Sequence, residues 1–221
     1  MLKNKRFLPA VCWTAAALLF TLLIKLVGVQ NAGATNTPLG FARINTAVHT
    51  AVGTSSFWYT VSKLLGFCAI ATAAFFAGLG LWQWFQRKSL KEVDRVFFVL
   101  ASLYVAVVVL WKLFDVIALN YRPVLKDGAA EPSYPSTHTM MALAFFGSAV
   151  PLIMTYMKRG RLQKILAAAA IAAAFLTVLA RFLSGVHWFT DIIGGILVSG
   201  ALLAWFWFAV KREGRPAEEE S

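Results

Sequence analysis

The fold class this sequence predicts is all-α: an integral-membrane bundle of six transmembrane helices with both termini cytoplasmic. Three observations predict it. Composition is 59% hydrophobic and only 14% charged, with a mean hydropathy of +0.69, which excludes a soluble domain. Six apolar runs each reach the roughly 18 residues needed to cross hydrocarbon. Fourteen of the 21 basic residues gather before, after and between those runs on one side, as the positive-inside rule predicts.

The runs extend from Phe7 to Val29, Phe57 to Phe85, Val96 to Leu119, His138 to Tyr156, Ile165 to Phe182 and Trp188 to Val210. Together they make residues 1–221 a single membrane domain. Lys3, Lys5 and Arg6 precede the first run. Arg87, Lys88, Lys91 and Arg95 separate the second from the third, and Lys158, Arg159, Arg161 and Lys164 the fourth from the fifth. Lys211, Arg212 and Arg215 follow the sixth. If every run crosses, all of these lie on one side, the cytoplasm. The net charge of +11 therefore reads as membrane orientation and not as a nucleic-acid surface.

The opposite face receives Gln30 to Ser56, Asn120 to Thr137 and the turn from Leu183 to His187. Within the first of these, Phe41, Ile44, Val48 and Val52 recur at helical spacing, predicting a helix in the outer interface between Leu39 and Val52. Its His49 reads as an interfacial polar residue. Ala32-Gly33-Ala34 also has the small-residue character of a signal-peptide cleavage site, but the preceding apolar stretch is about twice the usual signal core. Cys12 and Cys68 lie inside spans and imply no disulfide framework. The Ala-rich stretch from Ala167 to Ala174 allows close helix approach, and Glu218-Glu219-Glu220 reads as a solvated tail.

The few polar residues elsewhere concentrate at Arg122-Pro123, Pro135-Ser136-Thr137-His138, Arg181, His187 and Asp191. Each falls at the outer face or within about a turn of it. Ionisable groups at membrane depth cost several kcal/mol unless paired or employed, so the set reads as a functional site. Two guanidiniums suit an oxyanion, and two imidazoles can move a phosphoryl group and a proton. Ser136 is placed to N-cap the fourth span, with His138 in its first turn. Asp191 lies four residues after His187 on one helix face. Its carboxylate can hold the imidazole tautomer and leave the other nitrogen free to attack phosphorus. Two helix N-termini converging there would add partial positive charge and unsatisfied donors.

Other chemistries fit less well. A two-His-one-carboxylate metal site from His138, His187 and Asp191 would have its cation repelled by two arginines. A serine protease built on Ser136 leaves those arginines without a role. A proton-coupled transporter would place its ionisable residues near the midplane.

Taken in order, Arg122-Pro123, Pro135-Ser136-Thr137-His138 and Arg181-x-x-x-x-x-His187-x-x-x-Asp191 resemble the three signatures of the type 2 phosphatidic acid phosphatase superfamily of membrane lipid phosphatases. The signatures fall within residues 112–191. The resemblance implies a phosphohistidine at His187, oriented by Asp191, with His138 protonating the leaving oxygen. Arg122, Ser136, Thr137 and Arg181 would contact the phosphate, with no metal or cofactor. It further implies a membrane lipid substrate with a phosphate or diphosphate headgroup, foremost undecaprenyl diphosphate, at the extracytoplasmic face of a bacterial plasma membrane. Phosphatidylglycerol phosphate, phosphatidate, diacylglycerol pyrophosphate and a phosphotransferase activity are the alternatives.

Three positions depart from the pattern. Thr137 stands where a Gly is common, and Ala180 where a Ser is common before the arginine. The first signature usually carries a lysine seven residues before the arginine, a position held here by Asp115. With the third span helical to Leu119, Lys112 lies about 10 Å below that end at 1.5 Å per residue, paired with Asp115 on one face. Lys126, in the outer loop, is the candidate for the missing cationic contact, and Lys112 the alternative.

Overall fold

The computed structural model describes residues 7–125 and 128–211, with the backbone alone at 211. Its elements in order are α1 (Leu8–Leu26), β1 (Gln30–Ala32), β2 (Thr37–Leu39), α2 (Ala42–Val52), α3 (Ser56–Arg87), α4 (Arg95–Ile117), α5 (Thr137–Tyr156), α6 (Arg161–Leu183) and α7 (Phe189–Lys211). All of these helices except α2 are long and apolar enough to cross a membrane. The chain is a multi-pass helical membrane protein. Lys3, Lys5, Arg6, Lys126, Arg212, Arg215 and the acidic tail lie outside the described residues.

Two features differ from the sequence reading. β1 and β2 form an antiparallel hairpin, Asn31 opposite Pro38, in a stretch of the outer segment to which the sequence reading assigned no element. It seats Leu39 with Trp188 and Ala42 in a small apolar cluster. The third span also ends at Ile117, with Ala118 in the left-handed conformation, two residues short of the expected Leu119.

The core is organised around α5, whose spanning window is 56% buried while those of the other spans are between 17% and 33%. It packs against α3, α4, α6 and α7, and α1 lies along α7. Phe145 and Phe146 of α5 interlock with Val107 of α4, Ala170 and Ala174 of α6 and Val198 of α7. The alanines on α6 let that helix approach closely.

The end of the bundle away from the polar cluster is tied by Asp94. Its carboxylate accepts from Gln83 Nε2 at 2.9 Å, Arg87 Nη1 at 2.7 Å and Tyr156 Oη at 2.6 Å. Hydrogen bonds from Tyr156 and Arg87 hold that carboxyl at about 2, below its ordinary value. The knot joins α3, α4 and α5 and leaves the opposite end free for chemistry.

Candidate active site

The two signature helices start side by side. Ser136 N–H donates to the carbonyl of Asp191 at 2.9 Å. His187 sits just before α7, in the tight turn that leaves α6. Gly185 has φ +65 there, and a Cβ on it would collide with the Gly53 carbonyl. Ser55 N–H donates to Ser184 O at 3.2 Å, and His49 Nε2 hydrogen-bonds Gly185 O at 3.0 Å. A carbonyl can only accept, so His49 donates from Nε2.

His187 is the meeting point of both arginines. Its Nε2 lies 3.2 Å from Arg181 Nη2 and 3.3 Å from Arg122 Nη1. Guanidinium N–H groups can only donate, so Nε2 accepts and the ring proton is on Nδ1. Nδ1 lies 3.5 Å from Asp191 Oδ2, a charge contact longer than a formed hydrogen bond. Burial, reinforced by Arg181, Arg122 and His138, holds the His187 imidazole well below its usual pKa. It is therefore a neutral base with its lone pair facing two cations.

Each arginine is fixed by its own wall. Arg122 Nε faces Glu131 Oε2 at 3.1 Å, and Arg122 N–H donates to Glu131 O at 3.0 Å. Ser133 N–H donates to Asn120 O at 2.9 Å in the same short ribbon. Arg181 is almost fully buried, donating from Nη1 to Ser62 Oγ at 3.3 Å with its guanidinium carbon 5.5 Å from the Tyr59 ring centroid. Arg181 Nε is buried and has no hydrogen-bond partner among the described residues. A buried guanidinium N–H without a partner is a costly donor, and its side chain reaches His187 through Nη2.

Asp191 accepts from Trp188 N–H at 3.0 Å, half of a capping box, and from Asn120 Nδ2 at 3.1 Å. Asn45 Oδ1 accepts from Thr190 N–H at 3.1 Å, and its Nδ2 donates to Gly40 O and Thr190 Oγ1. The first turn of α7 thus has donors already taken by Asp191 and Asn45. The expectation that both helix N-termini offer free donors to one anion is corrected here for Trp188 and Thr190. Ser136 holds the N-cap position of α5, yet its side chain makes no cap bond and accepts from Thr139 Oγ1 at 3.0 Å. That too corrects the expected cap: Thr139, one turn on, supplies a better-placed donor.

His138 lies in the first turn of α5 with its ring against Gly66 of α3, where a Cβ would meet Cδ2 at 3.1 Å. Thr137 lines a small cleft against Trp111, Phe114 and Asp115 of α4. Lys112 is exposed on α4, its Nζ 3.7 Å from Asp115 Oδ2 and 4.4 Å from the Trp111 ring centroid. Among the described residues, no three His, Cys, Asp or Glu side chains group as a metal ion would require.

Sequence reasoning missed Asn45, Tyr59, Ser62, Gly66, Asn120 and Glu131. Ser62 carries a retrospective signal as a polar residue inside a span. The others reveal themselves only through their partners.

No curated protein matches the chain. The fold is similar to that in the crystal structure of a transmembrane PAP2 type phosphatidylglycerolphosphate phosphatase from Bacillus subtilis. The TM-score is 0.67 at 17% identity, covering 94% of this chain and 98% of that one. Residues 113–215 match the family model of the PAP2 superfamily, a segment that contains Arg122, Ser136, His138, Arg181, His187 and Asp191. That segment carries the match to the PAP2 superfamily, in a chain whose fold is that of a transmembrane PAP2 type phosphatase.

Proposed function

We propose that the protein hydrolyses a phosphate or diphosphate lipid through a phosphohistidine on His187. The observation that carries this reading is the surroundings of His187 Nε2, an accepting nitrogen 3.2 Å and 3.3 Å from two guanidiniums. Phosphorus seated there meets a lone pair, while the arginines take the equatorial oxygens whose charge grows in the transition state. Arg181 Nε adds a further donor.

In the first step Nε2 attacks phosphorus, the P–N bond forms and the P–O bond to the lipid breaks. His138 gives its proton to the leaving oxygen. Nδ1–H stays with Asp191, which stabilises the positive charge that develops on the ring. In the second step His138 takes a proton from water, the resulting oxygen attacks phosphorus, the P–N bond breaks and phosphate leaves. Ser136, Thr137 and Arg122 complete the phosphate cradle in this reading. Residues 1–221 act as one domain.

The substrate class is narrowed by two arguments. The motif resemblance points to undecaprenyl diphosphate at the outer face of a bacterial plasma membrane. The structural neighbour is a phosphatidylglycerolphosphate phosphatase, which favours that lipid as the second reading. Phosphate release by purified protein from both lipids, with phosphatidate and diacylglycerol pyrophosphate alongside, separates them. Rapid quench with radiolabelled lipid is expected to trap acid-labile, base-stable phosphate that is lost in His187→Ala. An acid-stable phosphoserine at Ser136 would refute the mechanism, and transfer of label to a second lipid would make the enzyme a phosphotransferase.

A further inference from the structure

Residues 59–66 of α3 form a wall of the site that lies outside the family-matched segment. Tyr59 faces the Arg181 guanidinium, Ser62 accepts its hydrogen bond, and Gly66 receives the His138 ring. Spacings of three and four residues put all of them on one helical face. Lys63 stands at the edge of this face. It is exposed inside the span, seven residues after Ser56 and so about 10 Å from the helix start at 1.5 Å per residue.

A lone ammonium at such depth is expensive and marks a functional position unless paired. Among the described residues no carboxylate forms an ion pair with Lys63. Its contact is the Tyr59 ring, with Nζ 5.5 Å from the centroid. The Arg181 guanidinium carbon is also 5.5 Å from that centroid. One aromatic ring therefore lies beside two cations, one on the bilayer-facing surface and one buried against His187.

We propose that Lys63, with Tyr59, forms an anion-binding subsite on the bilayer side of the catalytic pocket, which takes the phosphate-bearing headgroup of a membrane lipid. The proposal rests on the lipid-phosphate reading above for its ligand class. Chemistry supports the assignment: an ammonium is a compact, mobile point charge able to meet a phosphate oxygen in the interface. Tyr59 stabilises a cation on its face when no anion is bound. A headgroup held at Lys63 is one aromatic ring away from Arg181, and the hydrocarbon tail stays in the bilayer.

The test measures binding of dioctanoyl phosphatidate and of inorganic phosphate to the full chain in detergent, in a His187→Ala background that does not consume the lipid, with Lys63 kept and with Lys63→Gln and Lys63→Arg. Lys63→Gln is expected to weaken the phosphatidate about tenfold, and Lys63→Arg less than about threefold because the charge is kept. Inorganic phosphate, which enters from water, is expected to change less than about twofold. Removing an intramembrane charge lowers the cost of membrane insertion, so Lys63→Gln is expected to remain folded, as thermal unfolding will show. Unchanged phosphatidate binding in Lys63→Gln overturns the subsite. Equal weakening of lipid and free phosphate overturns its bilayer-side position. Should the wild type turn over no lipid phosphate, the hydrolytic reading fails while the subsite stands on the binding data.

Discussion

The backbone N–H of Ser136 donates to the backbone carbonyl of Asp191 at 2.9 Å, tying the start of α5 to the first turn of α7. His138 is two residues beyond one end of this bond, and His187 four residues before the other. The backbone segments that carry the two imidazoles are therefore joined by a main-chain bond. Replacing either ring removes no atom of this bond, so side-chain variants of the site are expected to keep it.

The low pKa of His187 gives a signed pH dependence. A buried imidazole held neutral contributes stability in full above the unfolded value of about 6.5, and loses it as pH falls toward the folded value. In that window unfolding takes up a proton, so stability rises with pH by up to about 1.4 kcal/mol per unit. Melting temperatures of wild type and His187→Gln between pH 4.5 and 7.5 should differ in slope below about 6.5 and run parallel above it. Parallel curves throughout would show that His187 is not a buried neutral base.

Gly66 sets the seat of His138. An alanine there brings a Cβ within 3.1 Å of the ring, so the ring must move by a few tenths of an ångström. Misplacement of a proton donor lowers turnover, by about tenfold here, with little change in KM. A p-nitrophenyl ester, whose leaving group needs no proton, should lose much less activity than an alkyl ester in both Gly66→Ala and His138→Ala. Equal losses on both esters would remove His138 from the acid role.

Asn45 is a cap supplied from another helix. Its truncation to Ala strands the Thr190 N–H in a buried position, at a cost of about 1–3 kcal/mol. Both the melting temperature and turnover are expected to fall, because the first turn of α7 carries Asp191. Unchanged stability in Asn45→Ala would mean that this turn holds itself.

Two lysines compete for the position the family signature leaves empty. Lys112 is paired with Asp115 on an exposed face of α4, with side chains 61% and 47% exposed. Lys112→Ala is accordingly expected to leave turnover within about twofold and to change stability by less than about 1 kcal/mol. Lys126→Ala is expected to raise KM about tenfold through loss of a charged phosphate contact. A folded, inactive Lys112→Ala beside a normal Lys126→Ala would reverse the assignment.

Sidedness is checked by labelling. With Cys12 and Cys68 replaced, a cysteine at Ala129 is expected to react with an impermeant thiol reagent outside intact cells, and one at Ser89 to be protected. The reverse pattern would put the site in the cytoplasm and remove undecaprenyl diphosphate recycling at the outer face from consideration.

The six spans and most of the polar cluster were legible in the sequence. Both rest on quantities that belong to single residues and short spacings. Hydrocarbon admits only long apolar helices, charged groups inside it are rare enough to stand out, and His187 and Asp191 are one helical turn apart. Which donors and acceptors are already taken depends on the packed bundle. Ser136 looked like a cap, but Thr139 reaches its hydroxyl. The first turn of α7 looked free, but Asn45 comes from 145 residues away to accept from Thr190. Ser62 comes from 119 residues away to hold Arg181, and no local period records such a pairing. Hydrogen bonds are satisfied by whichever group packing brings within about 3 Å, and that is a property of the assembled bundle.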